Sequence, residues 1–229
     1  MINIFSVMIH TLLPRYCYGC EDVLVEAEEV ICLDCLLELN KTHNLHETEN
    51  ELTKKVSFSF NVENAVSFIY FDSDSIARKL IHRFKYEEDI IIGKYLTRLF
   101  CQELKQKDWI KDIDYIIPLP LHWLKKVKRG YNQSEIISNI IGKEFDIRVK
   151  TNYLKRIKYT QSQTKKSREK RWDNVKGIFR VINQGKLKNK HILLVDDIVT
   201  TGSSIYSCIN ELSKIEGIKI SVLTLASTN

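Results

Sequence analysis

The chain has 229 residues, a hydrophobic fraction of 44% and a formal charge of +6. That is enough chain for one ordinary domain with a small appendage, and too apolar for a disordered tail. No apolar run is long enough to span a bilayer, which argues against membrane insertion. The modest positive excess suits anionic ligands without singling out nucleic acid.

The first residues, M-I-N-I-F-S-V-M-I-H-T-L-L-P, are mildly apolar. They lack a basic n-region and a small-residue cleavage site, so a short docked helix and a cytoplasmic protein are expected rather than a secreted one. Cys17-Y-G-Cys20 and Cys32-L-D-Cys35 follow, eleven residues apart. Two C-x-x-C pairs at this spacing match a tetrahedral Cys₄ zinc site, closed to substrate and therefore structural. The V-L-V and E-V-I segments between the knuckles suit a zinc-ribbon hairpin. Disulfides are the alternative, disfavoured in a reducing compartment; a redox C-x-x-C would not need two tandem pairs. Cys101 and Cys208 fall on apolar helix faces and read as small core residues.

Lys41 to Lys55 is polar and aperiodic and reads as a linker, with His43 and His46 solvated within it. Residues 1–45 are thus expected as a zinc-ribbon module, 46–61 as a linker and 62–229 as the main domain. Ala65–Phe71 reads as a strand. Ser75 can cap a helix whose inner face is Ile76, Leu80 and Phe84. A second helix is expected over Ile92–Lys107, a short strand over Ile113–Ile117, a helix over Ser134–Glu144, and strands over Ile178–Ile182 and Ile218–Leu225. This alternation predicts an α/β fold with a mostly parallel sheet flanked by helices.

The most informative stretch is His191–Ser204, H-I-L-L-V-D-D-I-V-T-T-G-S-S. An apolar strand leads to Asp196 and Asp197, then to a hydroxyl-rich turn and a helix running to about Ile215. Carboxylates accept hydrogen bonds from hydroxyls. The N–H groups and hydroxyls of a turn at a helix N-terminus cradle a phosphate. Together these residues describe a sugar-phosphate pocket at the carboxyl edge of a sheet. An ordinary helix-capping turn is the plainer alternative.

This stretch resembles the phosphoribosyl-pyrophosphate (PRPP) motif of type I phosphoribosyltransferases. The resemblance implies that the acidic pair, Asp196 and Asp197, holds the ribose hydroxyls and is the catalytic pair. It implies that Val199, Thr200, Thr201, Gly202 and Ser203 hold the 5′-phosphate. The pyrophosphate loop would be Leu119, Pro120, Leu121 and His122, with Lys125, Lys126, Lys128 and Arg129 adding charge nearby for the leaving pyrophosphate and its magnesium. With the C-x-x-C pairs and the phrase K-R-G-Y-N-Q-S-E, the chain resembles the ComF family and its ComFC-like branch, a zinc ribbon fused to a phosphoribosyltransferase-like domain.

The segment T-Q-S-Q-T-K-K-S-R-E-K-R-W-D-N-V-K-G-I-F is similar to that family's flexible loop, with Ile178 standing where a small residue is usual. Lys155–Arg171 carries eight basic residues against Glu169. Lys165, Lys166, Arg168, Lys170 and Arg171, with Tyr153, Tyr159 and Trp172 nearby, form the mixture of cations and rings that single-strand binders use. A solvated lid over a phosphate site is the alternative. The resemblance implies a role in natural competence, meaning uptake and processing of single-stranded DNA, with an uptake helicase or similar partner. It also allows an active transferase moving 5-phosphoribose from PRPP to an unidentified acceptor.

Overall fold

The computed structural model describes residues 14–42, 45, 50–57, 60–158 and 177–228. Its centre is a five-stranded sheet of order β1-β7-β6-β2-β3, formed by β1 (Ala65–Tyr70), β2 (Tyr115–Pro118), β3 (Arg148–Val149), β6 (His191–Val199) and β7 (Lys219–Ser227). Every pairing in it is parallel. β4 (Leu154–Arg156) and β5 (Phe179–Val181) form a separate antiparallel pair. The Ile178–Ile182 strand expected from sequence therefore lies outside the main sheet.

The strands are apolar on both faces because both faces are covered. Along β6, Leu193 and Val195 pack into one buried cluster, whereas Ile192 and Leu194 pack into the other. Along β7, Leu223 and Leu225 alternate in the same way with Ile220 and Val222. A short helix, α1 (Leu33–Leu37), carries the second cysteine knuckle ahead of the sheet. The first face is covered by α3 (Ile76–Tyr86), α4 (Ile90–Leu104) and α6 (Gln133–Phe145), and the second by α2 (Glu51–Ser57) and α7 (Ser203–Leu212). Ser75 caps α3 as expected, its side chain accepting from the Arg78 N–H, and Leu80 and Phe84 are fully buried. On α6, Ile137 and Ile141 are fully buried and Ile136 and Ile140 only partly. Cys101 and Cys208 are buried, as read from sequence.

Two segments differ from expectation. Glu51–Ser57, inside the polar stretch, is the helix α2, held by Leu52 and Val56 one turn apart. Two apolar residues in a single short turn are too few to stand out as a period. Between the knuckles, only a single antiparallel bridge, Tyr16 to Val23, forms in place of ribbon strands. Val23 and Val25 there face solvent, so their side chains have no sheet face to bury. The segment leaving this region runs antiparallel along the outer edge of β1. The Thr42 N–H donates to the Phe68 carbonyl at 2.9 Å and the Tyr70 N–H to the Asn40 carbonyl at 2.8 Å. That covers an edge that would otherwise be open to pairing.

Candidate functional site

After β2 the chain continues toward β3 on one side of the sheet, and after β6 it continues toward β7 on the other. The crevice between the ends of β2 and β6 is the switch point at which open α/β sheets bind ligands. Pro118 pairs with Val195, which brings the loop Leu119–His122 beside the acidic pair. Strand pairing runs past that pair, with Asp196 opposite Thr224 and Val199 opposite Ser227. The carboxylates thus sit on the last rigid turn of β6 rather than in a loop.

Asp197 is nearly buried, and its Oδ2 lies 3.2 Å from the Lys85 ammonium. Asp196 Oδ1 accepts from the Ser134 hydroxyl at 2.9 Å and from the Asp197 N–H at 2.9 Å. Burial, and then the Asp197 charge beside it, raise the Asp196 carboxyl from 3.8 to about 7; Lys85, the Asp197 N–H and Ser134 oppose the shift. The folded protein therefore holds a proton here that the unfolded chain gives up near its ordinary value. Stability should fall as pH climbs between those two values and level off above the upper one. Relative to Asp196→Asn, the wild-type urea midpoint is expected to drop between about pH 4 and about pH 7. A gap independent of pH would contradict this.

The turn Thr200–Ser203 opens α7. Gly202 stands at its N-cap with φ +74°. A Cβ there would come 2.8 Å from the Lys55 carbonyl oxygen of α2. Only glycine meets both demands, the left-handed backbone and the close approach. Thr201 Oγ1 and Ser203 Oγ are 3.1 Å apart, and the Thr228 hydroxyl donates to the Thr200 carbonyl at 3.1 Å. The turn is thereby pinned between α2 and the chain following β7.

The phrase K-R-G-Y-N-Q-S-E turns out to be a bracket that holds the site together. Gly130 ends α5 (Trp123–Arg129) in the left-handed conformation. The Tyr131 hydroxyl donates to the Phe84 carbonyl, and Gln133 Nε2 to the Lys85 carbonyl at 3.4 Å. The Asn132 amide donates to the Leu119 carbonyl at 3.0 Å while its oxygen accepts from the Ser134 N–H at 3.2 Å, capping α6. Ser134 then reaches Asp196. Four consecutive residues thus fix the end of α3, the β2 loop and the acidic pair against one another.

The remaining expected residues fall as follows. Leu119 and His122 are buried, and Pro120 and Leu121 are half-buried. His122 caps α5, its Nδ1 accepting from the Leu124 N–H at 3.3 Å. The Arg129 guanidinium lies 4.8 Å from the Tyr86 ring centre and donates to Gln133 Oε1 at 3.2 Å. Lys128 lies within α5. Lys165, Lys166, Arg168, Lys170 and Arg171 lie outside the described residues, as do His43 and His46. Sequence reasoning missed Lys85, whose significance appears only with its partner. Lys125, expected to add charge beside the loop Leu119–His122, is half-buried on α5, and its ammonium is depressed by burial and then by Arg156, Arg129 and Lys85.

The four N-terminal cysteines come together. The sulfurs of Cys17, Cys20, Cys32 and Cys35 lie within 4.8 Å of one another, and those of Cys20 and Cys32 are 3.6 Å apart. Bonds of about 2.3 Å to a tetrahedral ion set a sulfur–sulfur edge of about 3.8 Å, so the donors fit a metal such as zinc. Cys17 Sγ accepts from the N–H groups of Gly19 at 3.3 Å and Cys32 at 3.2 Å. Burial raises the Cys17 thiol, but such backbone hydrogen bonds outweigh it and bring it down to about 6. Burial pushes Cys35 well up. A Cβ on Gly19 would lie 2.8 Å from the Cys35 sulfur, so glycine lets the first knuckle close on the second.

This module is not detached from the sheet. Cys17, Val30, Ile31 and Cys35 belong to the same buried cluster as Ile69, Leu80 and Phe84. The Arg83 guanidinium lies 4.6 Å from the Tyr18 ring centre, and the Lys79 ammonium donates to the Gly19 carbonyl at 3.4 Å. Helix α3 therefore touches the first knuckle with Lys79 and Arg83 and the acidic pair with Lys85.

A parallel sheet with its polar groups gathered at the carboxyl switch point, joined to a cysteine cluster with a metal's donor set, defines the class of this protein. No family model matches the chain. Competence protein F of Haemophilus influenzae is 34% identical over 140 residues, covering 59% of this chain and 59% of that protein. DNA utilization protein YhgH of Escherichia coli K12 is 28% identical, covering 55% and 56%. Competence protein ComFC of Streptococcus pneumoniae is 27% identical, covering 59% and 56%. The resemblance read from the cysteine pairs and K-R-G-Y-N-Q-S-E is borne out by these homologues. The chain spans a little over half the length of the curated relatives it matches.

Among solved structures, the purine phosphoribosyltransferase of Pyrococcus horikoshii is similar with 17% identity, covering 58% of this chain and 81% of that chain at a TM-score of 0.36. The adenine phosphoribosyltransferase of Trypanosoma brucei, solved with AMP, pyrophosphate and ribose-5-phosphate, has 10% identity, 70% and 83% coverage and a TM-score of 0.42. Among the described residues, no helix is long and apolar enough to cross a membrane.

Proposed function

We propose that the chain binds a pentose phosphate of the PRPP or ribose 5-phosphate type and acts in natural competence, in the uptake and processing of single-stranded DNA. One observation carries the ligand reading. The acidic pair lies near the end of β6, and the T-T-G-S turn joins β6 to the first residue of α7, at the switch point of the sheet. The N–H groups of the turn and the N-terminus of α7 would take the 5′-phosphate, and Asp196 and Asp197 would accept from the ribose hydroxyls. The loop Leu119–His122 would border the pyrophosphate. Magnesium would accompany PRPP and offset its charge. Zinc on the four cysteines would be structural, since four thiolates leave no open position.

Calorimetric titration of the full-length protein with ribose 5-phosphate, and with PRPP plus magnesium, tests this reading. Saturable binding of ribose 5-phosphate, weakened by Asp197→Asn, is expected. No heat from either ligand at high protein concentration removes it.

The role in DNA handling draws on the names of the relatives and on the basic face around α5. There Trp123, Leu124 and Val127 are exposed among Lys125, Lys126 and Arg129. The cysteine module is less suited to that contact, because residues 15–35 carry Glu21, Asp22, Glu26, Glu28, Glu29 and Asp34 against the single base Arg15. Phosphate contacts predict a steep loss of single-stranded oligonucleotide affinity with salt. Replacing Lys165, Lys166, Arg168 and Lys170 with alanine should flatten the slope by about 0.7 for each phosphate no longer neutralised. An unchanged slope would mean that the phosphates are held elsewhere on the protein.

A second reading, transfer of 5-phosphoribose from PRPP to an acceptor, is favoured by Asp196. A carboxyl held at about 7 exchanges a proton readily near neutrality. Pyrophosphate release from PRPP that depends on an added acceptor would establish it.

A further inference from the structure

Lys85 occupies an unusual place for a lysine. It lies in the last turn of α3, where an ammonium ordinarily extends into solvent beside the helix end. Instead it turns inward onto Asp197, and the side chains of the pair are only 15% and 9% exposed. A lysine and a carboxylate taken out of water regain little stability from each other unless further hydrogen bonds complete the site. An ammonium has three N–H donors, and one carboxylate oxygen engages one of them.

The backbone around Lys85 is clamped. Tyr131 binds the Phe84 carbonyl and Gln133 binds the carbonyl of Lys85 itself. The position of the ammonium is therefore specified by the helix that carries it and by the bracket that holds the helix end. Its electrostatic setting is lopsided. Lys125 is depressed by burial first, then by Arg156, Arg129 and Lys85, with Asp197 as the opposing charge. Cations from α3, α5 and β4 thus lie close enough to Lys125 and Asp197 to act on one another, a positive surplus suited to a polyanion.

The position also has a direction. The phosphate turn belongs to α7, which packs with the second buried cluster, whereas α3 packs with the first. A ligand with its 5′-phosphate on the turn and its hydroxyls on the acidic pair presents its remaining substituent away from the turn. Lys85 approaches the acidic pair from the other face.

We propose that Lys85 is a ligand-binding residue: seated on Asp197, its ammonium donates to the diphosphate arm of PRPP and makes the site prefer PRPP over ribose 5-phosphate. This rests on the pentose-phosphate reading above. Lys85 is not among the residues expected from the turn, the β2 loop or the basic segment of the sequence.

The test is calorimetry on the full-length wild type, Lys85→Ala and Lys85→Arg, each titrated with ribose 5-phosphate and with PRPP plus magnesium. One charge-assisted hydrogen bond is worth about tenfold to a hundredfold in affinity. Lys85→Ala is expected to weaken PRPP by about thirtyfold and ribose 5-phosphate by less than about threefold, with Lys85→Arg restoring most of the affinity. Equal weakening of both ligands would mean that Lys85 only braces Asp197, and would overturn the proposal. So would unchanged PRPP affinity in a variant of wild-type thermal midpoint. Failure of the wild type to bind either ligand removes the pentose-phosphate reading and the proposal with it, a result distinct from a wild type that binds while Lys85→Ala behaves like it.

Discussion

Cys17→Ser is expected to release stoichiometric metal from the purified protein and to lower stability on the order of 3–5 kcal/mol. The size follows from where Cys17 sits. It is 1% exposed and shares a buried cluster with Ile69, Leu80 and Phe84, so its replacement is felt in the sheet's own core. A serine oxygen is a harder donor that stays protonated at neutral pH, and it cannot take up the N–H bonds of Gly19 and Cys32 at sulfur length. Metal content by elemental analysis and a urea midpoint read both effects. Cys208→Ser is the control, equally buried but on α7; it should keep its metal. Full zinc in Cys17→Ser would contradict the Cys₄ site.

Gly202→Ala should produce the second large effect. A left-handed backbone costs an alanine about 1–2 kcal/mol, and its Cβ would press on the Lys55 carbonyl at 2.8 Å. Backbone cannot yield as a flexible side chain can, so the turn itself must move. Displacing the N–H groups and hydroxyls that would hold a phosphate removes two or more charge-assisted hydrogen bonds. Affinity for ribose 5-phosphate is expected to fall by about a hundredfold or more. Metal content should be unchanged. Undiminished affinity would show that the phosphate binds elsewhere.

The features legible in the sequence are those whose chemistry is local. The Ser75 cap, the paired knuckles and the strand–acid–hydroxyl–glycine order of β6 and α7 each fit within a few residues, and each formed where expected. The features that escaped depend on distant partners. Lys85 is one lysine among many until the fold sets it on Asp197. Asn132 and Ser134 looked like family markers, and only the fold shows them binding the Leu119 carbonyl and Asp196. Helix α5 was hidden because its pattern is inverted: Trp123 is 66% exposed and Val127 76%, so no apolar face turns inward to give a period. The ribbon strands failed for a related reason, since Val23 and Val25 have β-forming side chains but no layer to cover them.

Helix α3 carries one more consequence. Its Lys79 and Arg83 rest on the first knuckle, and Lys85, half a turn further on, rests on Asp197. Two sites braced by one helix are linked to the extent that occupying either shifts that helix, and such linkage is reciprocal. A pentose phosphate seated at the acidic pair should slow the extraction of metal by a chelator, and stripping the metal should weaken the sugar phosphate by the same factor. The cysteine module would then belong to the thermodynamics of the pocket, and a chain trimmed of it would not report the affinity of the whole.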